Sequence, residues 1–281
     1  MKDGLLIVKD LEPGIQEVTL NLEALYPDEN ERNQFEKRFV EFLNSDCLHS
    51  EIFKRRNNTV IYRTECIVPK KQDDRPPLLL VFGNPASHSV ASGMFFSFER
   101  SKQEHRIWKT LSQADILSFS SLPGGELRKT LDELMQLRKT ALLDNLSYDS
   151  PFRIGLAVFY TMPSPASVKR WGGVKGLRNL FWKKALTRID ESEKQRIGEI
   201  IREFVSPNGA VIAFQKDAYS GIKSSASPDY TLAQAKKGYL AGNCQCNSDV
   251  RLFCMPPTRQ SRGDLSTRLL QDVRERVLRV S

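Results

Sequence analysis

The chain has 281 residues, of which 40% are hydrophobic, enough for one large α/β domain with an additional N-terminal lobe. Lys and Arg number 42 against 34 Asp and Glu, a formal net charge of +8 that favours a polyanionic partner and excludes nothing about the fold. No apolar run reaches membrane-spanning length, and the opening MKDGLLIVKDLEPG lacks the order of a secretory signal, so no membrane partner and a cytoplasmic location are expected. The cysteines, Cys47, Cys66, Cys244, Cys246 and Cys254, are odd in number, which argues against a disulfide framework. Cys244 and Cys246 have C-x-C spacing with no His nearby, so neither a metal nor another cofactor is expected.

Residues 1–75 read as an N-terminal extension packed on the core, and residues 76–281 as the α/β domain. Within the extension, GIQEVTLNLEALYP reads as a strand and ENERNQFEKRFVEFLNS as an amphipathic helix with Phe35, Phe39, Phe42 and Leu43 on one face. TVIYRTECIVP reads as a second strand, KKQDDRPP as a connector, and Lys54, Arg55 and Arg56 as a solvated basic face. Leu78 to Phe82 is a continuous apolar run, the pattern of a strand buried on both faces of a parallel sheet. It stops at Gly83. From there to Gly93 the residues are small or polar, so the backbone can approach a ligand, with Asn84, Ser87, His88 and Ser89 available to point at it. An ordinary core turn is the plainer reading, but loops at the carboxyl ends of parallel strands are where open α/β sheets place ligands.

HRIWKTLSQADIL predicts a helix with Ile107, Trp108, Leu111 and Ile116 inward, and GGELRKTLDELMQLRKTALLDNL a second with Leu127, Leu131, Leu134, Leu137 and Leu142 in near-helical register. PFRIGLAVFY is another buried strand, leading into the loop TMPSPAS and a basic segment from Val168 to Leu186. A helix is predicted from Asp190 to Phe204, with Asp190 as cap and Glu193 completing a capping-box-like pattern. GAVIAF is the third buried strand, the polar stretch from Lys223 to Asp249 carries little pattern, and VRLFCM is the fourth strand. It enters PPTRQSRG and a final amphipathic helix capped by Asp264. Strands alternating with helices predict a single three-layer α/β/α domain with a mainly four-stranded parallel sheet. The loops after Phe82, Tyr160, Phe214 and Met255 would then share one cleft, with Lys169, Arg170, Arg259 and Arg262 as its basic margin.

VFGNPASHSVASGMFF followed by EHRIWKTLSQADIL resembles the first motif of the uracil-DNA glycosylase superfamily, in its mismatch-specific uracil-DNA and thymine-DNA glycosylase branch. The motif is a G-x-N-P strand end, a small-residue loop, a Gly, a stacking Phe and an N/H-R-F-W-K helix; Asn84, Pro85, Gly93, Phe96 and Arg106 to Lys109 stand at those places. More weakly, GAVIAFQKDAYSGI is similar to that family's strand and G-K-x-A-Y turn, and RLFCMPPTRQSR lies where the family has P-N-P-S-G-L-S-R. The likeness runs from Leu78 to the C-terminus.

The resemblance implies a monomeric DNA glycosylase without cofactor. It would flip a deaminated or otherwise altered, uracil-like base from duplex or single-stranded DNA and hydrolyse its N-glycosidic bond. It implies that Asn84 orients the water, with Ser89 beside it and His88 as a spare donor. Phe96 would stack on the base, with Gly83, Pro85, Tyr160 and Thr161 around it. Ser87, Lys169, Arg170 and the loop Thr258, Arg259, Gln260, Ser261 and Arg262 would hold the DNA backbone. Two departures stand out: Pro256 occupies the place of a family Asn or His, and the strand ending in Tyr160 lacks the Asn that several branches use to read the base. Proline offers neither a side-chain donor nor an amide hydrogen, which keeps open the alternative of a glycosylase fold that binds nucleic acid without catalysis. The cysteines that flank the first motif in the iron–sulfur branch have no counterpart, since Cys47 and Cys66 both lie upstream.

Overall fold

The computed structural model describes residues 4–97, 105–120, 130–166, 168–206, 208–257 and 264–279, apart from the side chain of Leu131. Residues 6–65 form a four-stranded antiparallel sheet from β1 (Leu6–Glu12), β2 (Ile15–Asn21), β3 (Phe53–Arg56) and β4 (Thr59–Glu65), in the order β1-β2-β4-β3. The central strands alternate as the pattern requires, with Val18, Leu20, Val60 and Tyr62 inward, and the helix Glu29–Leu43 lays Phe35, Phe39 and Phe42 beneath them. The edge strands β1 and β3 are mostly exposed past their first residue. Such strands carry no inward apolar repeat and stay hidden in the sequence.

The second sheet contains β5 (Pro77–Phe82), β6 (Arg153–Val158), β7 (Ala210–Phe214), β8 (Ala241–Asn243) and β9 (Arg251–Met255), ordered β6-β5-β7-β9-β8. Its first four members in that order are parallel, and β8 runs antiparallel to β9. The expected four-stranded sheet therefore gains a three-residue strand from the polar stretch after Lys223. Alternation along β5 divides the interior in two. Leu79 and Val81 pack with the N-terminal sheet and the helices Gly173–Leu180 and Lys183–Ile200. Leu78, Leu80 and Phe82 pack with the helices Arg106–Gln113, Leu131–Thr140 and Leu265–Leu278. Each of these leucines is fully buried, and burying one contributes roughly 1.5–3 kcal/mol.

The N-terminal part is thus one wall of a shared core. Its last strand passes directly to the edge of the parallel sheet, where Ile67 exchanges backbone hydrogen bonds with Leu156 at 2.9 and 2.7 Å. Several local expectations are corrected. The helix predicted from Asp190 begins at Lys183. Asp190 caps nothing and accepts the Tyr160 hydroxyl proton at 2.6 Å, while Glu193 is buried in an ion pair with Arg196. In the helix Leu131–Thr140 the buried face contains Met135, Arg138 and Lys139, whereas Leu134 and Leu137 are only half-buried. Part of the small-residue loop is a helix, Ser87–Ser92, closed by Gly93 at φ 71°, a left-handed conformation that glycine adopts without strain. Asp264 stands at the start of the last helix but makes no side-chain cap. Among the described residues no helix is long and apolar enough to cross a membrane.

Candidate functional site

Two strand tips are joined beyond the sheet itself. Phe159 and Tyr160 donate their amides to Phe82 and Gly83, both at 2.8 Å, Ser164 donates to Pro85 at 3.1 Å, and Ser87 donates to Ser164 at 3.0 Å. The Gln215 amide ties the third tip to the fourth through the Met255 carbonyl at 2.9 Å. These ties hold the ends of β5, β6, β7 and β9 around one cavity of about 580 Å³. Its apolar lining includes Phe82, Phe95, Phe96 and Phe214, with Phe82 and Phe214 stacked at 4.6 Å. A size of this order, and a wall that sets four Phe rings beside polar side chains such as Asn84, His88, Ser89 and Gln215, suit a planar ligand with hydrogen-bonding groups. A larger hollow of about 690 Å³ lies elsewhere, lined by the β1–β2 turn and by Arg153 at the start of β6, away from the strand tips.

Asn84 is anchored through its amide nitrogen, which donates to Ser164 Oγ at 2.9 Å and to the Met162 carbonyl at 3.2 Å. Ser164 Oγ also accepts the Gly173 amide at 2.8 Å. With Nδ2 so engaged, Oδ1 makes no hydrogen bond among the described residues and is the atom left to accept one in the cleft. The Gln215 side chain lies against the bare backbone of Gly83, where a Cβ would displace its amide end. Gln215 sits at φ 84° and ψ 170°, a region that belongs almost wholly to glycine. Phe96, at φ 50°, lines the cavity half-buried, its ring 4.7 Å from both Phe82 and His105. His88 and Ser89 line the same cavity, as do Pro85 and Pro257.

Several expected site residues lie elsewhere. Ser87 is fully buried and bonded at 2.9 Å to His49, whose Nδ1 meets the Phe42 carbonyl, so this pair braces the two lobes and touches no cleft. Tyr160 turns away to Asp190, and burial raises the pKa of both groups. Thr161 is sealed beneath, its amide and hydroxyl both donating to Glu193 Oε1 at 2.6 Å. Lys169 and Arg170 are exposed outside the cleft, and Arg170 pairs with Glu41 at 2.7 Å. Among the described residues, the cations that line the cleft are Lys175 and Arg178, the latter paired with Asp217. Thr258 to Arg262 lie outside the described residues, one position beyond Pro257.

One lining residue has no counterpart in the sequence reading. Glu65, the last residue of β4, is 2% exposed, and its Oε1, itself sealed from solvent, has no hydrogen-bond partner among the described residues. Burial pushes its carboxyl well above the usual range, against the attraction of Lys139. A carboxylate at the end of an alternating strand carries no local sign of burial, so nothing in TVIYRTECIVP announces it. Cys244, Cys246 and Cys254 are free, with their thiols pushed up by burial, and among the described residues no group of His, Cys, Asp or Glu is placed to hold a metal ion. Neither a scan of protein-family models nor a search of curated proteins gave a match to this chain.

Proposed function

We propose that the protein is a DNA glycosylase that extrudes a deaminated or damaged, uracil-like base and hydrolyses its N-glycosidic bond. The observation that carries the reading is the pairing, in one cavity at the strand tips, of the open Asn84 Oδ1 with the Phe96 ring. Hydrolysis needs a positioned water, stabilisation of the departing base's negative charge, and contacts that hold the nucleotide extruded. Asn84 Oδ1 accepts a hydrogen bond from the water and so aims the water's free lone pair at the anomeric carbon; Phe96 stacks on the base; Lys175 and Arg178 supply positive charge at the rim. The water's oxygen bonds to that carbon as the C–N bond breaks, and the electron pair leaves with the base, which takes up a proton. Thr258 to Arg262, which follow Pro257 in the sequence, are assigned to the phosphates by the family resemblance alone.

The test is incubation with duplexes and single strands bearing uracil, hypoxanthine, xanthine or mismatched thymine, followed by alkali. Strand scission is expected with at least one lesion, and a folded Asn84→Ala protein should lose about 10²–10⁴-fold in rate. No scission with any lesion refutes catalysis. A second reading, nucleic-acid binding without chemistry, is favoured by Pro256, which is buried where a donor would be needed. Salt-sensitive DNA binding, unaffected by Asn84→Ala and without product, would select it.

A further inference from the structure

We propose that a second groove, between the turn Lys236–Tyr239 and the helix Leu265–Leu278, binds single-stranded nucleic acid: Lys236, Lys237, Arg268 and Arg276 hold its phosphates, and Tyr239 stacks on an unpaired base. The groove shares no lining residue with the strand-tip cleft, and the proposal goes beyond the reading of that cleft and needs none of its chemistry.

Local structure makes the concavity. The short helix Leu232–Lys236 runs into Gly238, whose φ of 73° turns the chain in a left-handed conformation that glycine adopts without strain. A Cβ there would press on Leu269 of the final helix at 3.0 Å, so turn and helix are in contact, with an open groove of about 620 Å³ along them. On the helix the lining residues Leu265, Arg268, Leu269, Asp272 and Arg276 recur at steps of three and four, which puts them on one face for about 16 Å.

The charge on this surface is one-sided. Asp272 is the lone acid among its described lining residues and pairs with Arg276 at 3.5 Å, whereas Lys236, Lys237 and Arg268 have no ion-pair partner among the described residues. Like charges gathered in a concavity repel one another and concentrate a polyanion there. Tyr239 decides which polyanion. At 71% exposure it is the most exposed large apolar side chain among the described residues, and it stands beside the cations. A ring left in water next to a basic groove is how single strands are held, the bases stacking while the phosphates pair. A duplex keeps its bases stacked inside, and an acidic polypeptide offers the charge without the bases.

The experiment measures fluorescence anisotropy of a labelled oligothymidylate of about 15 nucleotides with the full chain, across about 50–200 mM salt. The double variant Lys236→Glu, Lys237→Glu should bind about tenfold or more weakly and lower the slope of log affinity against log salt by about 1.4, two contacts at about 0.7 each. Tyr239→Ala should bind about fivefold or more weakly with the slope unchanged, and Tyr239→Phe, which keeps the ring, within about twofold of wild type. The double variant Lys183→Glu, Lys184→Glu makes the same change in net charge on the other face of the parallel sheet and should bind within about twofold of wild type. All five side chains are exposed, so every urea midpoint should match wild type.

Three results overturn the proposal: loss of affinity in the Lys236, Lys237 variant no greater than in the Lys183, Lys184 variant, wild-type affinity in Tyr239→Ala, or displacement of the strand by polyglutamate as effective as by unlabelled oligothymidylate, which would mark a groove for polyanions at large. Groove-dependent binding without strand scission removes the glycosylase reading alone; scission with binding indifferent to these substitutions removes this proposal alone.

Discussion

Gln215 offers the sharpest test of how the cleft is built, because its backbone lies where a side chain should not be. At φ 84° and ψ 170°, any residue with a Cβ carries about 1–3 kcal/mol of strain. The conformation is held by the Gln215 amide bonded to Met255 and by the side chain packed on the bare backbone of Gly83. Gln215→Ala keeps the Cβ and therefore the strain. Gln215→Gly releases it but adds unfolded-chain entropy that costs about 0.4–1 kcal/mol relative to Ala. Both variants lose the same atoms beyond Cβ, so their difference isolates the backbone. The glycine variant should be the more stable by about 1 kcal/mol, read as a higher urea midpoint at equal slope. At an ordinary position the order is reversed. An alanine variant as stable as the glycine variant, or more so, would refute the strained geometry and with it the close approach of the β5 and β7 tips.

The buried Glu193–Arg196 pair should matter far more than any surface pair. Glu193→Ala strands Arg196 and the Thr161 amide, and a loss of about 3–5 kcal/mol in denaturant unfolding is expected, whereas Arg170→Ala, which breaks an exposed pair with Glu41, should cost under about 1 kcal/mol. Burial holds His49 below its ordinary pKa of 6.5, despite the Phe42 carbonyl and nearby Asp46, so the unfolded chain binds a proton that the folded one refuses. Stability should fall as the pH drops below about 6.5, and the wild-type minus His49→Gln difference in urea midpoint should slope upward with pH. Glu65 has the opposite sign. Its raised pKa means the folded chain keeps a proton that the unfolded chain has lost above about 4.5, so the wild-type minus Glu65→Gln difference should slope downward with rising pH. Slopes of the same sign for both residues would contradict the burial of one of them.

What could be read from the sequence was whatever has a period or a run. The strands β5, β6, β7 and β9 were visible as uninterrupted apolar segments, and their shared tip followed from the rule for parallel sheets. Asn84, Phe96, His88 and Ser89 were legible because they sit on the loop after such a strand. Orientation was not legible. Tyr160 and Thr161 follow the β6 tip as directly as Asn84 follows that of β5, yet Glu193, Asp190 and Tyr62 draw their polar groups to the far side of the sheet. Those partners are 30 to 99 residues away along the chain, and no local pattern encodes them. The basic margin failed for a similar reason. Lys169 and Arg170 precede the helix Gly173–Leu180, whereas Lys175 and Arg178, three apart on that helix, share the face that its docking turns to the cavity.

The N-terminal sheet, whose central strands are legible in sequence but whose role is not, is tied to the cleft at three points of different chemistry. His49 reaches Ser87 on the loop after β5, and Tyr62 reaches Thr161 on the loop after β6, each at 2.9 Å and each fully buried, so both loops rest on side chains of this lobe. Glu65, all but buried, is part of the cavity's wall. Hydrogen bonds in such surroundings are strong because water cannot compete, and their partners are costly to orphan. Removing residues 1–75 would therefore leave Ser87 and Thr161 without these partners, strip Phe159 and Tyr160 of their cover, and take away the unpartnered carboxyl. The segment that looked like an appendage to the motif-bearing half fixes the geometry on which that half depends, so site and scaffold are divided between the lobes along lines that the motif alone would never suggest.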